Sequence, residues 1–323
     1  MKFLKAVSIL VIFSLQVQAQ NKLLGKLNSS ILFQGNDTVA YRDPAVLYHN
    51  GVFYLFFTLV KTESRKIYSY TALAHSRDLK TWSAVKIITP KNQNWDFSSP
   101  GNIIRFKKEW VLCLQTYPRP DYTVDQMPRF GSGNARIFLM RSKNLLNWSN
   151  PELMKVKGTK VSFADMGRMI DPYLLQDKKQ QRKWWCFYKQ NGICMSYSYD
   201  LTHWNYFGKT PSGENPSVLY ANGKYILFYS PKNGIGIKES NDLVHWKDWE
   251  SILTLGQSHW LWAKGRITAG TVLDLTANKR FGRYLLFFHG SGPLTEEQGD
   301  FDKNASIGLA WSADLVHWKW PGK

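Results

Sequence analysis

One turn signature recurs five times along this chain. It reads Ser76-Arg77-Asp78-Leu79-Lys80-Thr81-Trp82, then Ser142-Lys143-Asn144-Leu145-Leu146-Asn147-Trp148, then Ser198-Tyr199-Asp200-Leu201-Thr202-His203-Trp204. The last two copies are Ser240-Asn241-Asp242-Leu243-Val244-His245-Trp246 and Ser312-Ala313-Asp314-Leu315-Val316-His317-Trp318. Five copies of S-x-(D/N)-L-x-x-W imply five similar structural units, which is the mark of a repeat architecture. Each Asp or Asn is expected to bond nearby backbone N–H groups of its own turn, and each Trp to pack between units. These ten residues, and His75, His203, His245 and His317 in or beside the turns, are therefore read as structural.

The segments between the turns share an order of parts. Pro44–Tyr48, the turn His49-Asn50-Gly51 and Val52–Phe57 open the first unit; Ser217–Tyr220, Ala221-Asn222-Gly223 and Tyr225–Tyr229 open the fourth. Asn-Gly between two β-rich runs is a strong hairpin signal, because both residues tolerate positive φ. The third unit follows suit with Tyr173–Leu175, Lys183–Tyr188 and Gly192–Ser196. Four short antiparallel strands per unit, five times over, predict an all-β fold, a five-bladed β-propeller. The repeated tryptophans lie 66, 56, 42 and 72 residues apart, which is too irregular for a WD-type propeller with its period of about 40–45 residues.

The N-terminus reads differently. Met1–Lys5 is basic, Ala6–Val17 mostly apolar, and Val17-Gln18-Ala19 offers a small residue before Gln20. That is the pattern of a secretory signal peptide, so the expected organisation is a leader at 1–19, a lead-in segment at 20–35 and one propeller domain at 36–323. The expected location is secreted or periplasmic. No later run is long enough to span a membrane. Without the leader the formal charge falls from +18 to +16. So basic a chain favours anionic partners; secretion points away from nucleic acid, and the charge matches either an acidic or sulfated polysaccharide or a generally basic surface with no specific partner. Cys113, Cys186 and Cys194 are an odd count with no disulfide framework. Cys186 and Cys194 flank a hairpin turn and are close enough in sequence to pair, although small buried thiols are the favoured reading. No His or Cys spacing resembles a zinc site.

In a propeller the first strand of each blade lines the central channel and opens on one face. The residues before those strands are Arg42-Asp43-Pro44, Ser98-Ser99-Pro100, Ile170-Asp171-Pro172, Gly213-Glu214-Asn215-Pro216 and Ile267-Thr268-Ala269-Gly270. Three carboxylates thus converge on one axis at positions read as equivalent, an arrangement that mutual repulsion would not favour for stability alone. Blades three and four are neighbours, which puts Asp171 close to Glu214, and Asp43 faces them. Two carboxyls on opposite sides of a sugar suit glycosidic hydrolysis, one holding a proton and the other activating or replacing water. A like charge beside the acid raises its pKa, and Asp171 is placed to do that for Glu214.

The set Asp43-Pro44, Asp171-Pro172 and Glu214-Asn215-Pro216 on five blades resembles glycoside hydrolase family 43 and its relatives, over roughly residues 36–320. The resemblance implies Asp43 as general base, Glu214 as general acid, Asp171 as the pKa modulator and orienting residue, and inversion at the anomeric carbon. Many members release arabinofuranose or xylose. Asn215 departs from the usual Glu-Gly-Pro. Thr268-Ala269-Gly270 stands where blade five usually offers a His, often linked to calcium. Arg42 is closer to the Arg-Asp-Pro of fructan-cleaving relatives. No cofactor is required; calcium in the channel is left open and is not indicated by any ligand set.

Segments entering the same face supply candidate substrate contacts: Arg42, Trp95, Arg168, His259, Trp260, Trp262 and Arg266. Indoles there would stack on a sugar ring. Arg119, Arg129 and Arg136 in the long blade-two loop would join Arg168 and Arg266 in a clamp for carboxylate or sulfate. The leading reading is a monomeric exo-acting hydrolase of an oligo- or polysaccharide. A retaining fructosidase-like or anhydrosugar-cleaving enzyme, with carboxyls about 5–5.5 Å apart instead of about 6.5–9.5 Å, and a non-catalytic sugar-binding propeller are the alternatives.

Overall fold

The computed structural model describes residues 23–322, so the expected leader lies outside the described residues. Five antiparallel sheets follow one another; four have their strands in sequence order from the axis outward, and the fifth carries an N-terminal strand at its outer edge. The inner strands are Val39–His49, Ile103–Phe106, Ile170–Gln176, Glu214–Ala221 and Arg266–Leu275, and neighbouring ones pack against each other around the axis. This is the expected five-bladed propeller, with four strands to a blade.

The repeated turn explains itself in atoms. In blade four Ser240 Oγ accepts from the N–H groups of Asp242 and Leu243, at 3.1 and 2.9 Å. Asp242 Oδ1 accepts from Val244 and His245, at 2.9 and 2.8 Å. The same bonds recur at Asp78, Asn144, Asp200 and Asp314. The leucine between them is driven into the left-handed region in all five copies, with φ from 62° to 69°. That conformation costs about 1–2 kcal/mol for an L-residue, and burial of each leucine offsets it. His203, His245 and His317 pair with the Asp of their own turn at 2.7–2.8 Å, which is the structural role expected of them.

Five apolar clusters fill the five gaps between blades. Each repeated Trp packs in the gap before its own blade: Trp148 against blade one, Trp204 against blade two, Trp246 against blade three and Trp318 against blade four. Trp82 of blade one closes the circle by packing in the cluster shared with blade five. The ring is closed in hydrogen bonds as well. Trp318–Lys319 and Ile31–Phe33, a strand formed within the segment read as a lead-in, both pair with the third strand of blade five, Ser306–Ser312. Cys113, Cys186 and Cys194 are all free and buried.

Candidate active site

Four of the five inner strands break register at one place each. In blade one the ladder skips from Arg42↔Thr58 to Ala45↔Phe56, in blade three from Ile170↔Lys189 to Tyr173↔Phe187. It skips likewise from Glu214↔Ser230 to Ser217↔Phe228, and from Thr268↔His289 to Thr271↔Phe287. The first residue of each bulge is left-handed: Asp43 (φ 48°), Asp171 (54°), Asn215 (51°) and Ala269 (51°), joined in blade two by Ser99 (38°). Held strain of this kind, about 1–3 kcal/mol per residue, turns five side chains toward one point on the axis.

This geometry corrects one sequence expectation. Asp43 and Asp171 are equivalent, but their partner in blade four is Asn215. Glu214 stands one residue earlier, in register with Arg42, Ile170 and Thr268. Adjacent strand residues point to opposite sides, so Glu214 leaves the axial floor for the rim. Its side chain is 33% exposed against 11% for Asp43. All three carboxyls nevertheless line a single cavity of about 220 Å³.

Asp43 is fixed from two sides. Its Oδ2 accepts from the hydroxyls of Thr58 and Ser99, at 2.8 and 3.0 Å. Its backbone N–H donates to His289 Nδ1 at 3.1 Å. With Nδ1 accepting, the other ring nitrogen carries the proton and faces Glu296 Oε1 at 3.3 Å. Burial lowers the His289 pKa, which suits this neutral tautomer. His289 escaped the sequence reading because it sits on the second strand of blade five, opposite Thr268. The signal was present: it is the one titratable side chain in the apolar run Leu285–Phe288 and its continuation.

Asp171 is the deepest of the three. Its N–H donates to Gln115 Oε1 at 2.5 Å, and its Oδ2 accepts from the Asn215 N–H at 3.2 Å. Burial, with the charges of Glu214 and Asp43 behind it, pushes its pKa up to about 8. Near neutrality Asp171 therefore holds a proton. Glu214 Oε1 instead accepts from Arg266 Nη2 at 2.8 Å.

A second acid organises the far wall. Buried Glu296, in the turn Glu296–Asp300, binds Arg266 Nη1 at 2.6 Å and Arg42 Nη2 at 3.4 Å, and also accepts from Ser291 Oγ. The two arginines and His289 hold its carboxyl far below the usual range against the opposing effect of burial. Arg42 also lies over the Phe301 ring, 3.8 Å from its centroid. Nothing in the spacing of the repeats marks Glu296, which reaches the site from a loop outside the repeated frame.

Of the expected contacts, Arg42, Arg168 and Arg266 line the cavity, whereas Trp95, His259, Trp260 and Trp262 do not. Trp95 stacks on Phe97 and meets Phe138 edge-on. Trp260 and Trp262 stack on each other and on Phe288 in the gap between blades four and five, where apolar burial outweighs any use as a platform. His259 is exposed outside the cavity. The blade-two clamp is also corrected. Arg119 is fully buried against Asp96 and Asp302, Arg136 donates to the backbone carbonyls of Gly133, Ala135 and Phe163, and Arg129 donates to Pro120 O. These arginines hold the loop together.

Among the described residues no group of three or more His, Cys, Asp or Glu is arranged to hold a metal ion. The fit to calcium fails on His289 as well, because both ring nitrogens are engaged within the protein.

No protein-family model matches the chain, and no curated protein matches it. The fold does match solved structures. A thermostable family-43 glycoside hydrolase superposes with a TM-score of 0.59 at 14% identity, covering 89% of this chain and 95% of that one. An exo-1,5-α-L-arabinanase from a bovine ruminal metagenomic library gives 0.57 at 15% identity over 85% and 93%. A family-43 β-1,3-galactosidase with galactodeoxynojirimycin gives 0.59 at 12% over 86% and 94%. At such identities the likeness establishes a family-43-like propeller fold.

Proposed function

We propose that this protein is an exo-acting, inverting glycoside hydrolase, with Asp43 as general base and Glu214 as general acid. One observation carries the reading: a carboxylate held by two hydroxyls and a rim glutamate share one polar cavity, with a buried third carboxyl beside them. Blades one and four are not neighbours, so a sugar seated between Asp43 and Glu214 has one on each side. The cavity falls below the range of about 300–1,000 Å³ typical of ligand pockets, which favours one terminal sugar over a threaded chain.

Asp43 Oδ1, left free by Thr58 and Ser99, takes a proton from water as that water attacks the anomeric carbon. Glu214 gives its proton to the leaving oxygen as the glycosidic bond breaks. Asp171, pushed up to about 8 chiefly by burial, holds a proton near neutrality beside the acid. Once Glu214 has lost its proton, Arg266 Nη2 receives the carboxylate. The base returns its proton to solvent and Glu214 takes one back. Release outside the cytoplasm, proposed from the Met1–Ala19 leader, would put the enzyme where polysaccharide is met.

A screen of aryl glycosides and plant or algal oligosaccharides, with NMR of the first-formed anomer, tests the reading. Product of inverted configuration is expected. Retained configuration would replace inversion by a glycosyl-enzyme route, and no turnover on any glycoside would remove the hydrolase.

A further inference from the structure

A second cavity, of about 780 Å³, lies on blade three and shares Arg168 with the first. Its wall carries Lys157 and Lys209 against a single acid, Asp165, which accepts from Ser162 Oγ. Among the described residues none of the three cations forms an ion pair. Arg168 merely rests near the Tyr117 ring. Tyr206, 48% exposed, presents a flat ring in the same cavity.

The loop bearing Arg168 is not slack. Gln190 Nε2 donates to the carbonyls of Met166 and Arg168, both at 3.0 Å, and Gly167 lies between them with φ 69°, where a Cβ would stand 2.8 Å from that nitrogen. The backbone that carries Arg168 is thus fixed at the junction of the two cavities, which lowers the loop entropy lost on binding. Blade three adjoins blade four and its proton donor, whereas Asp43 is across the axis. The second cavity therefore lies on the side to which the leaving group departs.

We propose that this cavity binds the acidic part of the substrate beyond the cleaved bond, its carboxylate or sulfate groups meeting Lys157, Lys209 and Arg168 and a sugar face meeting Tyr206. The proposal rests on the hydrolase reading only for the direction of the chain; the anion site stands on its own residues.

The test is calorimetric titration of the Glu214→Gln protein, in which turnover is blocked, with oligogalacturonate, a sulfated galactan oligosaccharide and a neutral xylo-oligosaccharide. Adding Lys157→Gln and Lys209→Gln should weaken the acidic probe by about tenfold, as expected for two partly exposed charge contacts, and flatten its salt dependence, with melting unchanged. Tyr206→Ala should weaken the acidic probe further. Whichever acidic probe shows the loss identifies the anion. Equal binding of an acidic probe before and after the lysine substitutions, or neutral binding as tight as acidic, would overturn the proposal. Tight, lysine-dependent binding by a chain that hydrolyses no glycoside would uphold the anion site and remove only the hydrolase.

Discussion

Asp43, Asp171 and Glu214 are three copies of one functional group made different by their neighbours. Asp43→Asn should keep the Thr58 and Ser99 contacts and lose the base, so turnover should fall by about 10²–10⁴-fold in steady-state assays. Glu214→Gln should lose as much on a poor leaving group and far less on an activated aryl glycoside, whose departure needs no proton; an equal loss on both would unseat Glu214 as the acid. Asp171 makes a different kind of prediction. Because burial raises its pKa from the ordinary carboxylate range to about 8, the folded chain binds more protons than the unfolded one between those limits. Stability is then full below the unfolded pKa and falls as pH rises toward 8. Asp171→Asn should therefore melt higher than wild type near pH 8, by about 2–4 °C, with the gap closing near pH 4.

At the scale of the element, the turn S-x-(D/N)-L-x-x-W couples a backbone cap to a packed indole. Asp242→Ala frees the N–H groups of Val244 and His245 and should cost about 1 kcal/mol, as loss of a cap does. Trp204→Ala empties a buried site between blades two and three and should cost about 3–5 kcal/mol. Urea titration distinguishes the two, and the reverse ranking would mean that the indoles contribute less than the caps. The turns were legible in the sequence because every bond in them spans three residues or fewer. Glu214's place was less so. The motif Glu214-Asn215-Pro216 was visible, but which residue takes the left-handed bulge is set by pairing with Tyr225–Ser230, and that shifted the acid by one position and from floor to rim.

For the whole molecule, closure matters most. Ile31–Phe33 completes the outer edge of blade five, Leu24 and Leu27 are buried in the blade-one and blade-five cluster, and Phe33 meets Tyr41, Phe57 and Trp82. A chain beginning at Asn36 should melt well below the longer one, read by calorimetry; equal melting would show that the ring closes through Trp318–Lys319 alone. The propeller, its number of blades and the two aspartates of its axis could be read from the sequence alone, because repeats and strand-start motifs are local patterns that one chain displays in order. His289 and Glu296 could not, nor could the burial of the blade-two arginines or the removal of Trp260 and Trp262 from the site. Those depend on which distant side chains compete for the same low-dielectric space. Only the closed ring brings them together, and burial and charge then decide which of them carries a proton.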